Sequence, residues 1–384
     1  MFSEEKYRTF LAEMNSEFNY TIPFRVAESP VFVPADFKKI IFDACDEIIS
    51  FLTANDLKKI TAKAIPAQLD VPNETGQTLF LALDFGICKT ESGEIIPQLI
   101  ELQGFPSLFG WQHYVAKKYK QHFYAPDNYS HLFNVNEGEY IALLKKNIVG
   151  DHSPENVILL EIEPEKQNTY IDFLLTQKML GIKSVCISKI IKEGKNLFYL
   201  NDEKKIPVHR IYNRVIFDEL LKRNDLKLNF NLTDEVNVEW AGHPNWFFRI
   251  SKYLMPRLKS KYVPQCFFLN ELKSIPPDLE NYVLKPLFSF SGSGIKFHVA
   301  KNDIDKITDP ENYLLQKKVK YEPVLQSTDD PVKVELRILY IWELGKPKPQ
   351  PVINMARLSR GEMIGVKNNL NKTWVGGSVA FFEV

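Results

Sequence analysis

Two groups of residues in this 384-residue chain have the types and spacing for chemistry. The first is Tyr282-Val-Leu-Lys285-Pro-Leu-Phe-Ser-Phe-Ser291-Gly-Ser-Gly294-Ile, a strand pattern that delivers a lysine just before a Ser/Gly turn. Backbone N–H groups in such a turn can converge on phosphate oxygens. The missing β-carbons at Gly292 and Gly294 allow close approach, and Lys285 supplies a point charge. The residue orders of a P-loop and of a dinucleotide-binding turn are both absent, so this segment alone also reads as an ordinary hairpin. Downstream, Leu314-Leu-Gln316-Lys-Lys318-Val319 ends a strand whose backbone suits an adenine edge. Lys317 and Lys318 alternate faces there, so at most one of them points at a phosphate.

The second group is acidic. Asp84 sits in TLFLALDFGI, and Glu101-x-Gln103 closes EIIPQLIELQ, with the turn Glu91-Ser-Gly93 between the two strand patterns. Residues 101 and 103 share one strand face, so a carboxylate and an amide can converge on a cation. Arginines complete the inventory. Arg337 follows Glu335 by two positions in VELRILYI, which puts both on one face as an ion pair or a ligand contact, and Arg357 and Arg360 bracket Leu358-Ser359. Arg25, in IPFRVAESP, and Arg214, in IYNRVIF, have planar donors suited to carboxylate or phosphate, and equally to structural salt bridges. Asn368, Asn369 and Asn371 read as turn formers or as part of a phosphate loop.

The elements that must position these groups are legible in outline. Residues 36–57 carry apolar side chains at a helical period behind Pro34. VILLEIEP, a helix over 168–180 stopped by Gly181, and KSVCIS form a strand–helix–strand unit with a parallel sheet. LFYLNDEKKIP reads as a hairpin turning at Asn201-Asp202. The last third is strand-rich, with a strand expected at Ile295 to Val299. Lys and Arg number 48, as do Asp and Glu, so no overall field favours nucleic acid or an anionic membrane. The apolar runs are strand-sized, well short of the roughly 20 residues of a membrane span. The start shows no export signal. Four scattered cysteines without metal-finger spacing fit a reducing compartment, so a cytoplasmic location is expected.

The segments YVLKPLFSFSGSGI, LLQKKV, VELRILYI, INMARLSRG and WVGGSVAFF together resemble the circularly permuted ATP-grasp family, the group that includes the synthetase domain of glutathionylspermidine synthase. The resemblance implies an α/β (α+β) fold with an inserted α/β domain and a helical N-terminal segment. It divides the chain into 1–74, a metal-ligand part at 75–149, a middle domain at 150–265 and a nucleotide part at 266–384. It also implies ATP and Mg2+ as cofactors. Lys285, Ser291, Gly292, Ser293 and Gly294, with Gln316, Lys317, Lys318 and Val319, would orient ATP. Asp84, Glu101 and Gln103 would hold Mg2+, with Gln103 standing where the family has Asn, and Arg357, Arg337 and Arg25 would serve catalysis. The expected activity is a carboxylate–amine ligase acting through an acyl-phosphate on a small-molecule or peptide carboxylate and an amine acceptor. A nucleotide-binding scaffold without catalysis and an ATP-dependent phosphotransferase are the alternatives.

Overall fold

The computed structural model describes residues 3–288, 294–328, 330–361, 364, 369 and 371–384. Along the chain, α1 (Glu4–Glu17), β1 (Val31–Val33), α2 (Ala35–Ala54) and the short α3 (Leu57–Ile60) precede a hairpin of β2 (Phe80–Lys89) and β3 (Ile95–Gln103). Next come α4 (Phe109–His122), β4 (Tyr129–Ser130) and α5 (Glu137–Ile148). The middle of the chain holds β5 (Val157–Glu161), α6 (Tyr170–Leu180), β6 (Lys183–Cys186), β7 (Ile191–Glu193), β8 (Asn196–Asn201), β9 (Lys204–Val208), β10 (Arg210–Asn213), α7 (Phe217–Leu220), β11 (Glu239–Ala241) and α8 (Asn245–Arg249). The last third supplies β12 (Cys266–Phe268), β13 (Tyr282–Pro286), β14 (Tyr313–Lys317), β15 (Pro323–Leu325), β16 (Val332–Ile341), β17 (Gln350–Ser359), β18 (Gly376–Ser378) and β19 (Ala380–Glu383).

The principal sheet runs β18-β17-β16-β2-β3, with β15 on β16, and every pairing in it is antiparallel. Its two faces have different surroundings, as strand alternation requires. Leu83, Phe85, Leu99, Leu102, Leu336, Ile338 and Leu358 point to one side. There they join Ile41, Ala44, Ile48 and Leu52 of α2 in the main apolar cluster. The other face carries Asp84, Glu101, Glu335, Arg337 and Arg357.

Alternation along β3 is kept by a bulge. Asp84 pairs with Glu101 and Phe85 with Leu99, so Ile100 is an extra residue. Without it, Glu101 and Leu99 could not fall on opposite faces in register with Asp84 and Phe85.

The middle segment forms a parallel sheet, β11-β10-β5-β6, as its strand–helix–strand pattern predicts, and the expected hairpin is β8-β9 in an antiparallel meander with β7. A third sheet, β12-β14-β13, is antiparallel. No strand forms at Ile295 to Val299. Lys296 makes only an isolated bridge to Leu284, on the edge of β13 that β14 leaves free. Two features were not foreseen: β1 pairs in parallel with β19, and β4 closes the other side of β19. These strands have two to four residues, too few for a visible period. Among the described residues, no helix is long and apolar enough to cross a membrane.

Candidate functional site

The polar face of the principal sheet is organised in rows across its strands. Glu101, Asp84 and Arg337 are directly opposed on β3, β2 and β16; one step along, Gly86, Glu335 and Arg357 are opposed on β2, β16 and β17. Asp84 is fully buried. Its Oδ1 accepts from Arg337 Nε at 2.6 Å, and its Oδ2 accepts from Arg337 Nη2 at 2.6 Å and from Arg357 Nη2 at 2.8 Å. Arg357 Nη2 also donates to Glu335, whose second oxygen accepts from Tyr321 Oη at 3.0 Å. Glu335 and Arg337 do lie on one face, as their spacing predicts. They are not partners of each other, because the register gives each a closer partner on the next strand.

Gly86 makes room for the tyrosine. A β-carbon there would lie 2.6 Å from the Tyr321 ring. Beside this group, Gln103 Nε2 donates to Glu101 Oε1 at 2.7 Å, Arg337 Nη2 is 3.8 Å from Glu101, and Lys252 Nζ is 3.9 Å away. Lys285 reaches across from β13, and its ammonium donates to the carbonyl of the bulged Ile100 at 3.2 Å. The bulge therefore does two things: it keeps Glu101 on the polar face, and it leaves a carbonyl free of the ladder for a buried lysine.

Among the described residues, the cations Lys252, Lys285, Arg337 and Arg357 meet the carboxylates Asp84, Glu101 and Glu335 here, and Asp218 is also in electrostatic range of Lys252. Burial disfavours the charged form of Glu101, but Lys252, Arg337, Arg357 and Lys285 outweigh it and hold its carboxyl at about 2. Burial raises Glu335 above the usual carboxylate range, and the charges of Asp84 and Glu101 add to this against Arg357. Burial also lowers Lys285, against the pull of Glu101. Arg337, Arg357 and the lysines bring a concentration of cationic donors to this face, which suits an anionic ligand. Two donors are unspent. Arg357 Nε is buried with no partner among the described residues, and Lys285 uses one of its three hydrogens.

The third sheet places the nucleotide-side residues. Gln316, on the central strand β14, is buried, and its Oε1 has no partner among the described residues. Lys317 is exposed, with its N–H donating to Gln265 O. Lys318 lays its ammonium 4.1 Å from the centre of the Phe297 ring, and Val319 is half-buried. Gly294 has φ +74°, and a β-carbon there would lie 2.9 Å from Pro286. Ser291, Gly292, Ser293 and Asn368 lie outside the described residues. A cavity of about 530 Å³ beside β12 is lined by Leu258, Val263, Gln265, Cys266, Phe268 and Glu271, among others, and by none of the charged sheet-face residues.

The remaining arginines sit apart from Asp84. Arg25 donates to Val375 O and to Glu28, and Val26 bridges to Gly377, which is opposite Arg357; Arg25 therefore borders the β18 edge. Arg214 follows β10, donates to Pro106 O at 2.9 Å and stacks 4.6 Å from the centre of the Phe105 ring. It lies at the carboxyl ends of the parallel strands. Nearby, burial pushes Glu161 up to about 8, with Arg214 opposing. The connection reverses direction between β5 and β10, a position where open α/β sheets commonly form a crevice. Arg360 pairs with Asp330, and Asn369 accepts from the N–H groups of Arg360 and Gly361, a local turn role.

Of the residues foreseen, the structure gathers Asp84, Glu101, Gln103, Arg337, Arg357 and Lys285. Lys252, Tyr321 and Gly86 were missed. Lys252 belongs to a 3-10 turn, and Tyr321 to a bridge outside the long strands, so no periodicity marks either.

Asp84, as held here, has no oxygen free for a cation, and the Gln103 amide directs its NH2 toward Glu101. Among the described residues, no group of three or more His, Cys, Asp or Glu is placed to hold a metal ion. Of Asp84, Glu101 and Gln103, only Glu101 keeps a carboxylate oxygen that accepts no hydrogen bond among the described residues, and it has Lys252 and Arg337 within 4 Å, so this donor set does not fit a Mg2+ resident in the nucleotide-free chain.

The fold is similar to that of a solved structure. That structure is a glutathione synthetase-like effector (GSS30) from Globodera pallida in its apo form. It matches with a TM-score of 0.57 and 9% sequence identity, over 98% of this chain and 96% of that one. At this identity the likeness is one of fold. No protein-family model matches the chain, and no curated protein matches it.

Proposed function

We propose that the chain is an ATP-dependent carboxylate–amine ligase of circularly permuted ATP-grasp type, with an inserted domain at 150–265. The observation that carries this reading is Lys285. It projects from the third sheet to the Ile100 carbonyl of the principal sheet, so both sheets share one cation-rich polar region beside Glu101. A triphosphate seated there meets Lys285, Arg357 and Arg337. In the reaction, a substrate carboxylate oxygen attacks the γ-phosphorus and ADP leaves with the bridging oxygen. An amine nitrogen then attacks the acyl carbon, releasing phosphate and losing a proton to solvent. The chain's contribution is position and charge: the guanidiniums and ammonium offset negative charge on the transferring group, and no side chain serves as a nucleophile. Arg25 and Arg214 are the donors proposed for substrate carboxylates.

A second reading, nucleotide binding without ligase chemistry, is favoured by the sealing of Asp84 between two arginines. Incubation with ATP and panels of acids and amines separates the two. ADP and phosphate formed in step with a new amide, seen by mass spectrometry, supports the ligase. Binding of a nonhydrolysable ATP analogue without turnover on any pair supports the second reading, and no binding by folded protein overturns both.

A further inference from the structure

We propose that this site binds its polyphosphate ligand without a bridging divalent cation, on the guanidinium of Arg357 beside Arg337 and on the ammonium of Lys285. The inference rests on the nucleotide-binding reading above and departs from it on the metal. A divalent ion at a nucleotide site is normally held by carboxylates that point at it. Here two of the three carboxylates have both oxygens engaged elsewhere. Asp84 spends Oδ1 and Oδ2 on three guanidinium hydrogen bonds and is sealed from solvent. Glu335 spends one oxygen on Arg357 and the other on Tyr321, and is buried as well. Only Glu101 retains exposure, 24% of its side chain, and it is ringed by Lys252 at 3.9 Å, Arg337 at 3.8 Å and the Gln103 amide at 2.7 Å. A dication at Glu101 would sit among the like charges of Lys252, Arg337, Arg357 and Lys285.

The donors point the other way. Arg357 is anchored through one nitrogen, Nη2, on Asp84 and Glu335. Its Nε is buried without a partner, Nη1 makes no hydrogen bond among the described residues, and 31% of the side chain is exposed. A guanidinium fixed at one corner, with its Nη1 hydrogens unspent and part of the side chain exposed, offers charged donors to a phosphate. The Asp84 and Glu335 carboxylates are then positioning groups, which fix the guanidinium in place before the ligand arrives.

The test is calorimetric titration of the full chain with ATP and with inorganic tripolyphosphate, once with Mg2+ and once with EDTA. For the wild type, affinity in EDTA should stay within about threefold of that in Mg2+, and Arg357→Lys should lose about tenfold or more in EDTA while keeping its circular dichroism spectrum. Electron paramagnetic resonance of Mn2+ added to nucleotide-free protein should give the signal of free Mn2+. Binding that appears only with Mg2+, or stoichiometric uptake of Mn2+ by the free protein, overturns the inference and leaves the nucleotide site standing. Absence of binding under both conditions overturns the nucleotide reading itself. The comparison in EDTA uses wild-type protein, so it does not depend on how any variant folds.

Discussion

Asp84 and Arg337, 253 residues apart in sequence, are directly opposed on β2 and β16 and joined by two hydrogen bonds of 2.6 Å. The carboxylate is fully buried and the guanidinium side chain is 10% exposed. Fork-to-fork pairing of this kind is both strong and directional. Its desolvation is compensated only while both partners are present. Asp84→Ala leaves the buried Arg337 and the partly exposed Arg357 short of a counter-charge, and the expected loss is about 3–5 kcal/mol. Urea unfolding measures it. A double variant with Arg337→Met should recover part of the loss, and a loss under about 0.5 kcal/mol in the single variant would mean that the pair is not desolvated in solution.

Lys285→Met removes an ammonium that burial already disfavours while keeping much of the side-chain volume. Thermal stability should hold or rise, and affinity for an ATP analogue should fall by about tenfold or more, roughly 1.4 kcal/mol. Calorimetry beside a melting curve reads both. Unchanged affinity would remove Lys285 from the ligand site.

Gly86 and Tyr321 form a size-matched pair across β2. Gly86→Ala forces the ring aside, taking its hydroxyl from Glu335, and should cost about 1–3 kcal/mol. Tyr321→Phe alone should cost about 1 kcal/mol. Adding Tyr321→Ala to Gly86→Ala removes the clash, so the pair should be strongly non-additive in denaturant unfolding. Additive losses would show that the ring moves away without effort.

Acid sensitivity should come in part from a buried histidine pair. His113 Nδ1 and His131 Nε2 are 3.1 Å apart, with Glu137, Lys117, Lys120 and Tyr140 around them. Burial, with His113 and Lys120 adding to it, drops His131 from 6.5 to about 3. The folded state therefore refuses a proton that the unfolded chain accepts. The stability contribution is complete above 6.5 and is lost as pH falls through the window down to about 3. Relative to His131→Gln, the wild type should lose up to about 1.4 kcal/mol per pH unit below about pH 6. Parallel unfolding free energies for the two proteins across that range would rule out His131 as the source.

How much of this was legible in the sequence depends on distance along the chain. Asp84 announced itself as the lone charge in an apolar strand, and Glu101 and Gln103 as alternate residues of its hairpin mate. Lys285 stood at the end of a clear strand, and α2 and the middle parallel unit were visible in their periods. These are local patterns. The partners of Asp84 were not legible, because the pairing of β2 with β16 is set by tertiary register. Spacing alone suggested Glu335 with Arg337, whereas the strands deliver Arg337 to Asp84 and Arg357 to Glu335. The extra residue at Ile100 was equally hidden. A bulge changes which face a side chain occupies, and nothing in the composition of IELQ marks it.

The pairing of β2 with β16 also has a history in time. β2 is ten residues long, with nine of them buried, and β16 covers one edge of it. On a ribosome adding about 5–20 residues per second, the 253 residues from Asp84 to Arg337 take roughly 13–50 s. During that interval an apolar strand waits with an open edge, which is the hazard of long-range β pairing. Asp84 stays hydrated until its guanidiniums are made. A nascent chain of this protein therefore exposes that edge until its last third emerges, and a polypeptide halted before β16 carries half a sheet and neither Arg337 nor Arg357.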